Sequence, residues 1–301
     1  RLPKDRYDVF NGFSGQGRYY PKPDGQGPHL THRLGQQVLD FLKTVDGKQP
    51  FLLQFYTKAA HCQDVDPWPF QPDHRYDDVL ADTQIPRPPT ATAAHFARLP
   101  KFLQTSEARR RWKIRFGNPA MFQKSVKDYY RLVMGVDDVI GRMVGLLKRK
   151  QLFQNTVIIF TSDNGFYLGE HGLAGKWFMH EESIRLPLVI CDPRLPSGRK
   201  GTRVSAVALN IDIAPTILEL AGLEVPASVQ GRSLLPLLRG RRVEWRSEFF
   251  YEHPFRHPRI PMTEGVRGPR YKYVRYTSLD PVVEQLYDLK LDPREEKNLA
   301  G

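Results

Sequence analysis

Three observations in this 301-residue chain predict an α/β fold: a mostly parallel sheet flanked by helices, with a small antiparallel α+β subdomain at the C-terminus. The run Val157 to Phe160 is apolar and mostly β-branched, as a strand buried on both faces of a parallel sheet reads. Gln123 to Lys150 carries Val126, Tyr130, Val133, Ile140, Val144 and Leu147 on one helical stripe. It ends on Lys148, Arg149 and Lys150, which suits the helix dipole, and it is the crossover helix feeding that strand. The aromatic runs at Phe249 to Tyr251, Tyr271 to Tyr276 and Gln285 to Leu289 predict the antiparallel sheet. The expected division is an α/β domain over residues 1–240 and a C-terminal subdomain over 241–301.

In chain order, the opening places Tyr7, Phe10 and Phe13 among glycines and reads as a loop entering a domain already under way. Thr31 to Val45 holds Leu34, Val38, Leu39 and Leu42 at helical spacing. Phe51 to Tyr56 predicts the next buried strand, with Lys58 and His61 at its carboxyl end. Pro67 to Pro119 is rich in proline and charge, has little periodicity, and reads as a long loop excursion over the active-site face. Asp137 and Asp138 are adjacent on a helix, so their side chains point about 100° apart and serve the helix surface rather than one metal. Leu188 to Cys191 continues a strand. Asp212 to Ala221, closed by Gly222, is a short helix with Ile213, Ile217 and Leu220 inward.

The formal net charge of +12 points to anionic partners: nucleic acid, a membrane surface or an acidic polysaccharide. The cluster of Arg109, Arg110, Arg111, Lys113 and Arg115 reads as a solvated face. With no nucleic-acid-binding module beside it, nucleic acid is not expected as the partner. No apolar run approaches the roughly 20 residues that cross a bilayer, so no membrane span is expected. The two cysteines, Cys62 and Cys191, make neither a disulfide framework nor a zinc site.

The polar cluster Ser162, Asp163, Asn164 and Gly165 follows the strand at Val157 directly. That is where open α/β sheets bind ligands. Asp163 offers a carboxylate and Asn164 an amide carbonyl, two hard oxygen donors that form half of a calcium or magnesium site. Farther on, Gly169, Gly172 and Gly175 space out Glu170, His171 and Lys176 in a loop able to lay a cation and an imidazole over an anionic substrate.

These residues, with Leu168 to Gly172, Gly175-Lys176 and Glu182 to Leu188, resemble the second signature region of the formylglycine-dependent sulfatases, in the alkaline-phosphatase-like superfamily. Lys58-Ala59-Ala60-His61 resembles the family's Lys-x-Pro-His segment, with Ala60 in the proline's place. The segment from Gly231 and the ending from Leu286 resemble family segments too. The resemblance implies an alkaline-phosphatase-like fold and hydrolysis of the sulfate esters of a small molecule or glycan. It implies calcium, or magnesium as second choice, on Asp163 and Asn164. Sulfate or leaving-group contact falls to Lys58, His61 and Lys176, with His171 a further substrate-binding candidate. It also implies a formylglycine nucleophile made by a formylglycine-generating enzyme, and a periplasmic, secreted or lysosomal location.

No segment matches the family's paired Asp ligands or its nucleophile motif. Cys191 fails as that nucleophile because Arg194 and Leu195 stand where a small residue and an arginine are needed. The chain therefore reads as the C-terminal portion of a sulfatase, inactive alone, with its formylglycine upstream. The alternatives are a phosphomonoester, phosphodiester or phosphonate hydrolase of the same superfamily, and a non-catalytic basic glycan- or nucleic-acid-binding module.

Overall fold

The computed structural model describes residues 4–22, 25–63 and 68–300; Pro67, the expected start of the proline-rich excursion, lies outside them. The helices are α1 (Leu30–Thr44), α2 (Ala93–Arg98), α3 (Lys101–Gln104), α4 (Glu107–Arg115), α5 (Pro119–Arg149), α6 (Glu181–Ile184), α7 (Ile213–Leu220) and α8 (Leu235–Leu238). The strands are β1 (Ile158–Thr161), β2 (Tyr167–Leu168), β3 (Ala174–Gly175), β4 (Leu188–Cys191), β5 (Phe249–His253), β6 (Thr263–Arg267), β7 (Tyr271–Tyr276) and β8 (Val283–Asp288). The chain divides into two units, one of Arg1–Arg87 and Lys113–Gln154, the other of Pro88–Trp112 and Asn155–Gly301. Among the described residues no helix is long and apolar enough to cross a membrane.

The first unit is built on α1 against α5. The apolar stripe of α1, with Leu34, Val38, Leu39 and Leu42, is buried, as are Val126, Leu132, Val136 and Val139 of α5. Gly35 permits the close approach, since a Cβ there would lie 2.6 Å from a Val139 methyl. The long helix starts earlier than its periodicity predicts because Asn118 accepts the Met121 N–H at 2.9 Å and Pro119 occupies the first turn. Its predicted stripe is also corrected, since Tyr130 and Val133 are 40% and 43% exposed. Lys150, expected to serve its own helix dipole, donates instead to the carbonyls of Leu42 and Lys43 at the end of α1, at 3.1 and 2.6 Å. The strand expected over Phe51 to Tyr56 does not form. Its side chains alternate between half-buried and exposed as a strand's would, yet no ladder partner pairs with it among the described residues.

The second unit holds an antiparallel meander, β5-β6-β7-β8, in which the three aromatic runs form β5, β7 and β8 as expected and β6 adds a strand that the sequence reading did not include. Its core joins Val274 and Tyr276 of that sheet to Tyr167, Leu173, Phe178 and Met179 from the signature loop and to Leu99, Leu103 and Ala108. The last three correct the reading of Pro67 to Pro119 as a loop. Helices of four to nine residues, capped locally by Thr92 accepting the His95 N–H at 3.1 Å, are too short to show a helical period. The parallel pairing expected for Val157 to Phe160 is corrected as well. β1 pairs antiparallel with β4, from Ile158 opposite Cys191 to Thr161 opposite Leu188, and with no other described strand, which leaves Phe160 37% exposed. In α7 the fully buried positions are Pro215 and Thr216, not the three predicted aliphatics. Asp212 ahead of them is buried under Arg246, which donates to its Oδ1 at 2.9 Å.

Candidate active site

β1 delivers Ser162, Asp163 and Asn164 into a turn whose path is fixed by Gly165. The Gly165 N–H donates to the Ser183 carbonyl at 2.8 Å, and a Cβ at this position would sit 2.1 Å from the Glu182 carbonyl oxygen. Glycine is needed here for close backbone approach. Asp163 is exposed, its Oδ1 accepting the Asn164 N–H at 2.9 Å. Lys176, just past β3, donates from Nζ to the Asn164 amide oxygen at 2.7 Å. The structure thus brings Asp163, Asn164 and Lys176 together. His253, the last residue of β5, joins them electrostatically: its imidazole is held below the ordinary range first by burial and further by the Lys176 ammonium. Sequence reasoning missed His253, whose only signal is its place at the end of an aromatic run.

His171 takes a different position from the one expected over a substrate. Its side chain is 0% exposed, its ring stacked on His180 at 4.4 Å and its Nδ1 2.9 Å from His95 Nε2. Closed off by these rings, it shapes the loop. It has a left-handed backbone (φ 56°), fixed by its N–H donating to Thr90 Oγ1 at 3.0 Å. Glu182 Oε2 lies 3.5 Å from His171 Nε2, and His180 Nδ1 meets the Tyr167 hydroxyl at 2.7 Å. Burial, then the neighbouring His171, pushes His95 down to about 4; burial likewise pushes His180 down. Arg109 closes the loop from the other side, donating to the Gly172 carbonyl at 3.0 Å between the rings of Phe96 and Trp112. His95 lay in a stretch with no readable period, and Arg109 was read only as part of a solvated basic face; that reading is corrected, since Arg109 is half-buried on this loop and Arg115 is 1% exposed.

Lys58 and His61 belong to the first unit. The Lys58 ammonium stands 5.4 Å from the Tyr19 ring centre. Tyr19 Oη donates to the His61 carbonyl at 2.7 Å, and His61 Nδ1 is 2.6 Å from the Cys62 carbonyl, an acceptor, so Nδ1 carries the proton.

The donor chemistry at Asp163 and Asn164, oxygen only, fits a hard cation such as calcium or magnesium. The number of donors is partial: among the described residues no three His, Cys, Asp or Glu side chains converge on a metal position.

The family model described as "Sulfatase" matches residues 3–223, and that of "N-sulphoglucosamine sulphohydrolase, C-terminal" matches 169–301. The chain is 29% identical to an N-acetylglucosamine-6-O-sulfatase of Bacteroides thetaiotaomicron over 99% of its own length and 63% of the relative's. It is 31% identical to a multifunctional alkaline phosphatase superfamily protein of Trinickia caryophylli over 100% of its length and 62% of the relative's. The chain thus spans less than two thirds of either relative. A solved structure in complex with its substrate D-glucosamine-2-N,6-O-disulfate superposes with a TM-score of 0.79 at 28% identity, over 97% of this chain and 71% of that one. A phosphonate monoester hydrolase from Silicibacter pomeroyi gives 0.76 at 25% identity, over 99% and 63%. With most of its length matched by one family model and the signature turn of Asp163, Asn164 and Lys176 assembled in space, the chain belongs to the sulfatase family and has its alkaline-phosphatase-like α/β fold.

Proposed function

We propose that the protein hydrolyses the sulfate esters of a sulfated glycan. The observation that carries this reading is the bond from Lys176 Nζ to the Asn164 amide oxygen, which sets an ammonium beside two hard oxygen donors in a chain of the sulfatase family. A sulfated amino sugar is the substrate class supported by the N-acetylglucosamine-6-O-sulfatase relative and by the neighbour solved with a glucosamine disulfate.

In this reading Asp163 and Asn164 hold calcium, or magnesium as second choice, with further ligands from elsewhere in the full-length protein. Such an ion, when bound, supplies positive charge to a sulfuryl oxygen. Lys176 donates to a sulfate oxygen and is most effective where negative charge grows as the S–O bond breaks. Lys58 and His61 are the first unit's candidates for the sulfate or the leaving group. No residue of this chain fits the family's nucleophile motif. The nucleophile is therefore assigned to a formylglycine outside these 301 residues, made by a formylglycine-generating enzyme, and the 301 residues alone are expected to be inactive. A periplasmic, secreted or lysosomal setting belongs to the same proposal by family likeness.

The phosphonate hydrolase neighbour keeps a second reading in play, in which the same rim serves a phosphonate monoester. The test is the full-length protein, co-expressed with a formylglycine-generating enzyme and assayed on 4-nitrophenyl sulfate and on a phenyl phosphonate ester. Bound calcium is measured in the native protein and in Asp163→Ala. Faster sulfate turnover and a loss of calcium in the variant are expected. Faster phosphonate turnover would favour the second reading, and unchanged calcium would remove Asp163 as a ligand.

A further inference from the structure

The loop from β5 to β6 leaves the rim at His253 and is built unlike an ordinary connection. Ile260 anchors it at 3% exposure, the Ile260 N–H donates to the His257 carbonyl at 3.0 Å, and the Arg259 N–H donates to His257 Nδ1 at 3.1 Å. The Arg259 carbonyl in turn accepts the Glu107 N–H at 3.1 Å. On this fixed backbone the loop turns outward one aromatic ring that water does not favour leaving bare, together with two guanidinium groups. Phe255 is 54% exposed, and its ring stacks on His257 at 6.2 Å and 12°. Arg256, between the two rings in sequence, and Arg259 are both exposed, with Arg259 3.6 Å from Glu107, a carboxylate already shared with Arg110 at 2.6 Å.

We infer that residues 254–259 form a subsite for the sugars next to the sulfated one, so that the substrate is an anionic oligosaccharide. This deepens the sulfatase reading and rests on it. A pyranose ring has one apolar C–H face, which packs on a flat aromatic surface, and the Phe255–His257 pair supplies that surface. A guanidinium matches sulfate and carboxylate with paired N–H donors, so Arg256 and Arg259 take the further acidic groups that a sulfated chain carries. Space is provided by a groove of about 840 Å³, whose lining includes Phe102, Arg256, His257, Arg259, Met262 and Leu279. That volume lies within the roughly 300–1,000 Å³ of ligand sites. The subsite continues from the rim: Trp177, next to Lys176, and Tyr251 of β5 pack against one core, and two residues past Tyr251 the His253 ring lies 6.1 Å from that of Phe255, which stacks on His257.

The test uses the full-length protein with a sulfated, glucosamine-containing tetrasaccharide, its binding followed calorimetrically, and 4-nitrophenyl sulfate turnover measured alongside. Phe255→Ala and Arg256→Ala should each weaken tetrasaccharide binding about fivefold or more, the loss expected of an energetically important contact. Aryl sulfate turnover and Tm should stay at the native values. Tetrasaccharide affinity unchanged in both variants would overturn the subsite, as would an equal loss on both substrates. Because binding is read directly, the absence of sulfate turnover in the native protein would sink the sulfatase reading while leaving the subsite intact if the variants still lose tetrasaccharide affinity.

Discussion

Two lysines of the second unit lie in the signature segment and the sheet behind it, and their surroundings could hardly differ more. Lys272 on β7 is 0% exposed and bonded to Glu181 at 2.9 Å, Glu295 at 2.7 Å and the Met179 carbonyl at 2.8 Å. Lys176 is half-buried, and its bonded partner is the neutral Asn164 amide. A lysine between two carboxylates has its charge consumed by the fold. One held by an amide is positioned yet keeps its charge for an anion from outside. The carboxylates around Lys272 bear this out. Glu181 is held below the usual range because Lys272 and Arg267 outweigh its burial, whereas at Glu295 burial dominates and its carboxyl is pushed up.

The contrast is broken most severely by Lys272→Ala. It would take the ammonium from buried Glu295 and leave Glu181 with Arg267 as its cation, at a cost of about 3–5 kcal/mol, the penalty for breaking a buried ion pair from one side. Urea unfolding should show that loss, while turnover per folded molecule stays near native. A collapse of turnover in the folded fraction would mean that Lys272 reaches the chemistry after all.

A smaller effect should come from the histidine stack under the loop, where burial holds His95 and His180 below the ordinary imidazole range. With His95 pushed down to about 4 from an unfolded value of 6.5, the unfolded chain takes up a proton between those values that the folded chain refuses. The stability is full above pH 6.5 and falls as pH drops through that window. Its neighbours His171, Arg98, Asp292 and Glu182 act on the same ring. His95→Gln can keep a hydrogen bond toward His171 without titrating, so unfolding free energies at pH 7 and pH 5 should differ less in the variant than in the native protein. An equal difference would place the acid sensitivity elsewhere.

The rim was legible in the sequence because its chemistry is local. Asp163, Asn164 and Gly165 follow a strand, and Lys176 returns to them across the short β2-β3 pairing of Tyr167 with Gly175. The long helix was legible because it carries a helical period over many residues, and three strands of the C-terminal meander because each holds an aromatic run; β6, with no such run, was not read. What supports the rim was not. His95 and Arg109 reach the loop from helices of six and nine residues, and only tertiary packing brings them there. His171 was misread because a histidine among glycines looks mobile and accessible, whereas the left-handed turn drives its ring into a stack with His180. The apolar run at Val157 indicated a strand correctly, but apolarity could not say whether its partner would be parallel or antiparallel.

The proposed contact of Lys176 with the sulfate is tested most directly by turnover of Lys176→Ala in the full-length protein co-expressed with a formylglycine-generating enzyme. The account predicts that kcat on 4-nitrophenyl sulfate falls by roughly 10²–10³, the loss expected on removing one donor to developing negative charge, with Tm unchanged. Near-native kcat in a variant with native Tm would contradict it.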